Sequence, residues 1–373
     1  MIKRGTGKAA NQKGIKSTVT KLKAVKPTLL GTLRIKIKDL RTYEKTKSSW
    51  KISKRQFPEV KNIVALFKAH KKISALMDTK NPEFLKGQLS PDGEPQGARI
   101  NILPNGKRLD KAYSLFAEQL TIHDQSSHAH WDVLYKNPGG TYSYVYTLDK
   151  KAKCTEHKYC VVKDFGKYYP KLEKNVFLAL KNKEDELALP MYTLLKTLMR
   201  IGNEIYYTAH GHKGLTTLKK GDIKINGEKV IFTYIGKDGV PNKIIEKFPL
   251  VYTKKLNHLI KPLKNSDFIF VNKKTGHPLS DVQFKKGFKK YCGKEFYPHI
   301  VRSYYATITA QEFLKQHRIA SKQEVKELFT SIAHKLGHKH FVKKSGEWEE
   351  SYNVTIHHYI QPDLVEKVKA LVK

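Results

Sequence analysis

The stretch "LPMYTLLKTLMRIGNEIYYTAHGHKGLTTLKKGDIKINGEKVIFTYIGKDGV", residues 189–240, changes its periodicity halfway and so decides the fold. In its first half Leu194, Leu198, Ile201 and Ile205 recur at helical spacing, which predicts one buried helix face with Arg200 at its edge just before Gly202. In its second half Ile223 and Ile225 alternate, and Asn226-Gly227 signals a tight turn. Val230, Phe232 and Tyr234 follow, before a second turn at Gly236-Lys237-Asp238-Gly239. The expected product is a three-stranded meander with Lys237 on an exposed tip. An arginine at a core edge is usually a snorkelling side chain or an ion-pair partner, and a tip lysine is usually solvated decoration. Neither carries chemistry by itself.

Toward the C-terminus, "YPHIVRSYYATITAQEFL" (residues 297–314) places Pro298 where a helix begins and spaces His299 and Arg302 three apart, so both point from one helical face. In "ASKQEVKELFTSIAHKLGH" (320–338), Ser321 and Glu324 make a capping box, and Val325, Leu328, Ile332 and Leu336 form a buried stripe. Gly337 ends the helix and presents His338 just beyond it. A charged insertion, "KHFVKKSGEWEES" (339–351), then separates His338 from two tyrosines, Tyr352 and Tyr359. A phenol titrates near 10, so a tyrosine used as a nucleophile at neutral pH needs cationic neighbours.

Toward the N-terminus the character differs. Residues 1–38 carry lysine and arginine but no acid and little periodicity, which predicts a disordered basic arm. Its "GTGKAANQKG" lacks the Gly-Lys-Ser/Thr ending of a phosphate-cradling loop. Residues 39–97 read as a short helical and linker region, with "FPEVKNIVALFKAHKKISALM" as the helix and "SPDGEPQG" as a boundary. Residues 98–163 read as a small β-rich module, because "WDVLYKNPGGTYSYVYTLD" sets two alternating runs around Pro138-Gly139-Gly140. Long amphipathic helices dominate residues 164–373, interrupted by the meander. The expected class is α+β, a mostly helical C-terminal domain preceded by the β-rich module and the arm.

Composition narrows the partner. The 373 residues carry a formal net charge of +37, far beyond what solubility requires, and a polyanion, above all nucleic acid, is the economical explanation. A basic protein that only binds shares this charge. No apolar run approaches a membrane span, the opening "MIKRGTGKAANQKG" has no apolar segment, and three cysteines suit a reducing interior. The expectation is an intracellular, DNA-associated protein.

The ordered series Arg200, Lys237, His299-x-x-Arg302, Leu336-Gly337-His338 and Tyr359 resembles the catalytic series of type IB DNA topoisomerases and tyrosine recombinases. Within that superfamily "LMRIGNEIYY…GLTTLKKGDI", "YIGKDGV" and "YIQPDLVEKV" are similar to the topoisomerase branch, across residues 164–373. The resemblance implies that Tyr359, in its Tyr-aliphatic-polar-Pro context, is the nucleophile and that Tyr352 is not. It implies that Arg200, Arg302 and His338 hold the phosphate oxygens, that Lys237 is the general acid and that His299 assists. It further implies a monomer clamping double-stranded DNA, working without cofactor, metal or ATP. The runner-up is a recombinase, which uses the same six groups; a DNA-binding protein with a dead site or a phosphoesterase-like module also stays open. The insertion 339–351 is longer than the linker usual in these enzymes.

Two weaker constellations remain. His123, His130 and Asp132 could converge on a metal and faintly resemble a 3′-phosphoesterase module, but Leu134 stands where that family carries an arginine. Cys154, His157 and Cys160 suggest zinc but lack a fourth ligand. The expectation is a structural or DNA-contacting module for the first and no zinc site for the second.

Overall fold

The computed structural model describes residues 28–123, 131–137, 140–342 and 344–373. Residues 1–27 of the expected arm, together with His130, Pro138 and Gly139, lie outside the described residues. The chain divides into two compact units, Met1–Lys153 and Cys154–Lys373. Strands dominate the first unit and helices the second, as an α+β class requires.

The first unit is built from short antiparallel strands and one helix. Strands β1 (Leu33–Ile35), β2 (Thr42–Lys45) and β3 (Trp50–Ile52) precede helix α1 (Glu59–Ala69). Strands β4 (Gln88–Leu89), β5 (Pro95–Gln96), β6 (Ile100–Ile102), β7 (Arg108–Tyr113), β8 (Glu118–Ile122), β9 (Val133–Lys136) and β10 (Tyr142–Val145) follow. The largest sheet runs β3-β2-β1-β4-β5. Its centre is therefore β1, inside the stretch expected to be a disordered arm. Leu33 and Ile35 are buried there, and Arg34 between them, itself buried, pairs with Asp78. The expected hairpin is present as β9–β10, with Tyr142 opposite Lys136 and Val145 opposite Val133.

The expected boundaries in this half differ from the observed ones. One hydrophobic core joins Leu33, Val64 and Phe67 to Tyr113, Leu120 and Val145, so the line at 97/98 runs through a single core. The line at 163/164 falls inside helix α2 (Leu148–Ala179).

The second unit continues with α3 (Ala188–Thr197), α4 (Glu204–His210), the meander β11 (Ile223–Asn226), β12 (Lys229–Ile235) and β13 (Pro241–Lys247), and then α5 (Leu250–Ile260). Helices α6 (Asp281–Cys292), α7 (Ile300–Gln316) and α8 (Lys322–Lys335) follow, then the hairpin β14 (Lys339–Val342) and β15 (Glu347–Glu350), then α9 (Asn353–His358) and α10 (Pro362–Ala370). Sheet order β11-β12-β13 is the expected meander, and Val230 and Phe232 are fully buried on its inner face. A second core, with Phe165, Phe284 and Phe288 at 0% exposure, fills this unit. Among the described residues no helix is long and apolar enough to cross a membrane.

The helix expected to run past Arg200 instead stops at Thr197. Leu198 adopts a left-handed conformation (φ 56°), a conformation that costs a non-glycine residue about 1–2 kcal/mol. Asn203 then caps the separate helix α4, its side chain accepting from the amides of Ile205 and Tyr206. Ile205, expected on the buried face, is 78% exposed. Arg200 therefore sits in an extended link, where Leu215 and Thr216 donate amide bonds to the carbonyls of Arg200 and Ile201. Gly214 lies so close that a side-chain carbon there would stand 2.6 Å from the Arg200 carbonyl oxygen.

Candidate active site

The C-terminus of α8 sets the site. Ser321 and Glu324 form the expected capping box at its start, and Val325, Leu328 and Ile332 face the core. At its end the His338 amide donates to the Ala333 carbonyl and the Gly337 amide to the His334 carbonyl, the bond pair of a Schellman motif. Gly337 is left-handed (φ 66°), and a side chain there would also strike the Asn242 amide oxygen. This reversal turns His338 inward, where it is 7% exposed.

Arg302, in the first turn of α7, meets it. The guanidinium is 3% exposed and donates from Nη1 to the Leu198 carbonyl and from Nη2 to the Leu336 carbonyl at 2.8 Å. Both carbonyls belong to helix ends that lack intrahelical partners, where positive charge is favoured. Nη2 also lies 3.1 Å from His338 Nε2. A guanidinium has no acceptor, so Nε2 must accept and the ring proton resides on Nδ1. Nδ1 donates to Thr355 Oγ1 at 2.8 Å, and Thr355 is fully buried. Burial first, then the nearby guanidiniums of Arg302 and Arg200, push the His338 imidazole down to about 3. His338 is therefore a neutral relay that fixes Arg302. The direct bond from His338 to a phosphate, expected from the sequence, would require one of these two partners to be exchanged.

Tyr359 follows α9 and precedes α10, with its amide bonded to the Thr355 carbonyl at 2.9 Å. Its ring centroid lies 4.7 Å from that of His338 and 5.2 Å from that of His299. The Arg302 guanidinium carbon is 5.2 Å from the same centroid, and Lys158 Nζ is 5.5 Å from it. Tyr352 instead packs on Phe329, with centroids 6.0 Å apart. Of the two tyrosines, only Tyr359 is brought among the cations.

His299 stands at the start of α7 without a side-chain cap bond and lines a cleft of about 340 Å³ together with Arg200, Arg302, Tyr206 and Tyr297. Burial, then Arg302, Arg200, Lys158 and Lys237, push its imidazole down to about 3, so it is neutral at physiological pH. Lys237 stands exposed on the turn between β12 and β13, as expected, beside left-handed Asp238 (φ 62°) and Gly239 (φ 79°). Among the described residues no carboxylate lies within ion-pair distance of Arg200, Lys237 or Arg302, although Asp281 lines the same cleft. Arg302 Nε is buried without a hydrogen-bond partner. Uncompensated, buried positive charge is unfavourable unless an anion completes it.

Sequence reasoning missed Lys158, whose segment was read only for zinc, and Thr355, which no motif marks. Of the weaker constellations, the set His123, His130 and Asp132 cannot be followed whole, because His130 lies outside the described residues. Cys154, His157 and Cys160 are exposed along α2. Asp132 is 5% exposed, its carboxylate paired with Lys150 at 2.7 Å and accepting the Thr147 amide, so it serves the first unit's own structure. Among the described residues no three His, Cys, Asp or Glu side chains converge in metal-binding geometry.

A family model described as the eukaryotic DNA topoisomerase I, catalytic core, matches residues 148–361. Solved structures similar to the chain include the XerH site-specific recombinase bound to difH substrate in a pre-cleavage complex, at 17% identity and TM-score 0.31, over 45% of this chain and 44% of that one. Another is XerH on palindromic difH substrate in a post-cleavage complex, at 18% identity and TM-score 0.32, over 47% and 48%. The chain thus spans less than half the length of those structures. No curated protein matches it.

Proposed function

The chain belongs to the eukaryotic DNA topoisomerase I catalytic-core family, and from that premise we propose that it relaxes supercoiled duplex DNA by transient cleavage of one strand. The observation that carries the reading is the buried, carboxylate-free Arg302, with Nε unpartnered, held against the ring of Tyr359. Such a group is completed by a phosphodiester.

In this reading the Tyr359 hydroxyl attacks a backbone phosphorus. Charge that develops on the nonbridging oxygens meets Arg302 and Arg200, which offer planar, multiple donors already in place. Neutral His299 orients the phosphate with a single hydrogen bond. Lys237 protonates the leaving 5′ oxygen, which would otherwise depart poorly. The product is a 3′-phosphotyrosine that conserves the energy of the broken bond, so religation proceeds without ATP. Between the two steps the free 5′ end rotates. Side chains supply the positive charge in this scheme, so no metal is required. The excess of basic residues serves phosphate contacts along the duplex, and one chain clamps it as a monomer in the nucleoid, nucleus or equivalent compartment.

The test is relaxation of supercoiled plasmid in EDTA without nucleotide. A strict need for added magnesium or ATP would overturn the mechanism, and strand exchange without net relaxation would make the protein a recombinase.

A further inference from the structure

The segment joining His338 to Tyr359 folds as the β14–β15 hairpin, with Lys339 opposite Glu350 and Val342 opposite Glu347. Phe341 and Trp348 cross their rings at 5.5 Å on one of its faces. Two contacts run from this segment, and a third from Gly337 just before it, to the turn that carries Lys237 and the start of the strand after it. Lys339 Nζ donates to the Pro241 carbonyl at 3.0 Å. Trp348 Cζ2 lies 4.0 Å from where a side-chain carbon on Gly239 would stand. Gly337 approaches Asn242 so closely that a side-chain carbon would lie 2.6 Å from its Oδ1, and Asn242 donates back to the Val240 carbonyl at 2.9 Å. Behind these, His334 bonds Glu350 and Lys335 bonds Glu246, tying the hairpin's return strand and the last meander strand to the end of α8.

Nothing on the Lys237 side chain itself fixes it, since among the described residues it forms no ion pair. Its turn is short, exposed and built on two consecutive left-handed residues. Exposed turns are locally mobile unless packed, and a general acid works only within hydrogen-bond reach of its target. The packing here comes from the hairpin.

We infer that the β14–β15 hairpin is a positioning element for Lys237, with Lys339 and Trp348 holding the turn so that the ammonium reaches the leaving oxygen. This rests on the reading of Lys237 as the general acid. In the step concerned the Tyr359 oxygen–phosphorus bond forms as the phosphorus–O5′ bond breaks. The phenolic proton passes to water, and the Lys237 proton goes to O5′. With sulfur at the 5′ bridging position the thiolate leaves without a proton.

The experiment is single-turnover cleavage by the full chain of a duplex carrying 5′-bridging oxygen or sulfur at a site mapped with the unaltered protein. Lys237→Ala should slow cleavage of the oxygen substrate by about a hundredfold or more and regain it with sulfur. The double variant Lys339→Ala/Trp348→Ala should slow the oxygen substrate by between about tenfold and the roughly hundredfold cost of a group misplaced by about 1 Å, and cleave the sulfur substrate within about twofold of the unaltered rate. The sulfur rate is also the control for folding. An oxygen rate unchanged in the double variant overturns the inference. So does a parallel loss on both substrates, which would place the hairpin's effect on Tyr359 or on the fold. Failure of sulfur to rescue Lys237→Ala overturns the acid assignment, and this inference with it.

Discussion

Lowering the pH from 7 to 5 should weaken the fold through His338 in particular. Its imidazole, at 7% exposure and beside two guanidiniums, takes up a proton only near pH 3, against an ordinary value of 6.5. Between those values the unfolded chain binds the proton and the native chain does not. Stability from this group is therefore fully present above pH 6.5 and is lost as pH falls toward 3. Integrating the proton uptake from pH 7 to pH 5 gives about 2 kcal/mol for one such histidine. In a unit of this size that corresponds to roughly 4–8 °C in melting temperature. His299, depressed by burial and the same cations, acts with the same sign. Urea unfolding at the two pH values, for the unaltered protein and for His338→Asn, isolates the term. The variant should show a pH dependence shallower by about 2 kcal/mol. Nitrogen-detected NMR should show the His338 proton on Nδ1 down to pH 5. A titration midpoint near 6.5, or equal pH dependence in both proteins, would refute the neutral relay between Arg302 and Thr355.

Three further outcomes follow from the geometry. Tyr359→Phe should bind DNA yet leave no covalent adduct after denaturation, whereas Tyr352→Phe should retain the adduct and lose only packing on Phe329; a gel of the trapped complex reads both. Thr355→Val strands the His338 Nδ1 proton in a buried site and should cost about 1–3 kcal/mol by urea denaturation, with oxygen and sulfur substrates slowed equally. An unchanged midpoint would show that the bond does not form. DNA affinity should fall steeply with salt, and removing residues 1–27, which hold only basic charges, should flatten that slope in a binding titration; an unaltered slope would mean the arm does not touch DNA.

The sequence was most legible where local chemistry leaves one answer. The capping box at Ser321, the stop at Gly337 and the meander turns around Lys237 all act within a few residues, and each is where the motif put it. The error at Arg200 arose because Leu198, Ile201 and Ile205 fit a helical stripe by chance. Gly202-Asn203, a stop followed by a cap, was the competing signal in the same stretch. Strand β1 was lost inside a basic stretch because Arg34 and Lys36 alternate with the buried Leu33 and Ile35. Thr355 and Lys158 were out of reach of pattern reading. Their meaning comes from contacts across 17 residues to His338 and across the fold to the Tyr359 ring, which no local spacing encodes.

Arg302 joins the loose carbonyl ends of two helices as well as facing the tyrosine. An alanine scan across this site will therefore mislead at that position: an inert Arg302→Ala protein reports a loosened junction between Leu198 and Leu336 as much as a missing charge. Anyone wanting a silent trap that still grips DNA should disable Tyr359 and leave the arginine alone. Any rate assigned to Arg302 should be measured against a version whose helix ends have been reconnected by other donors.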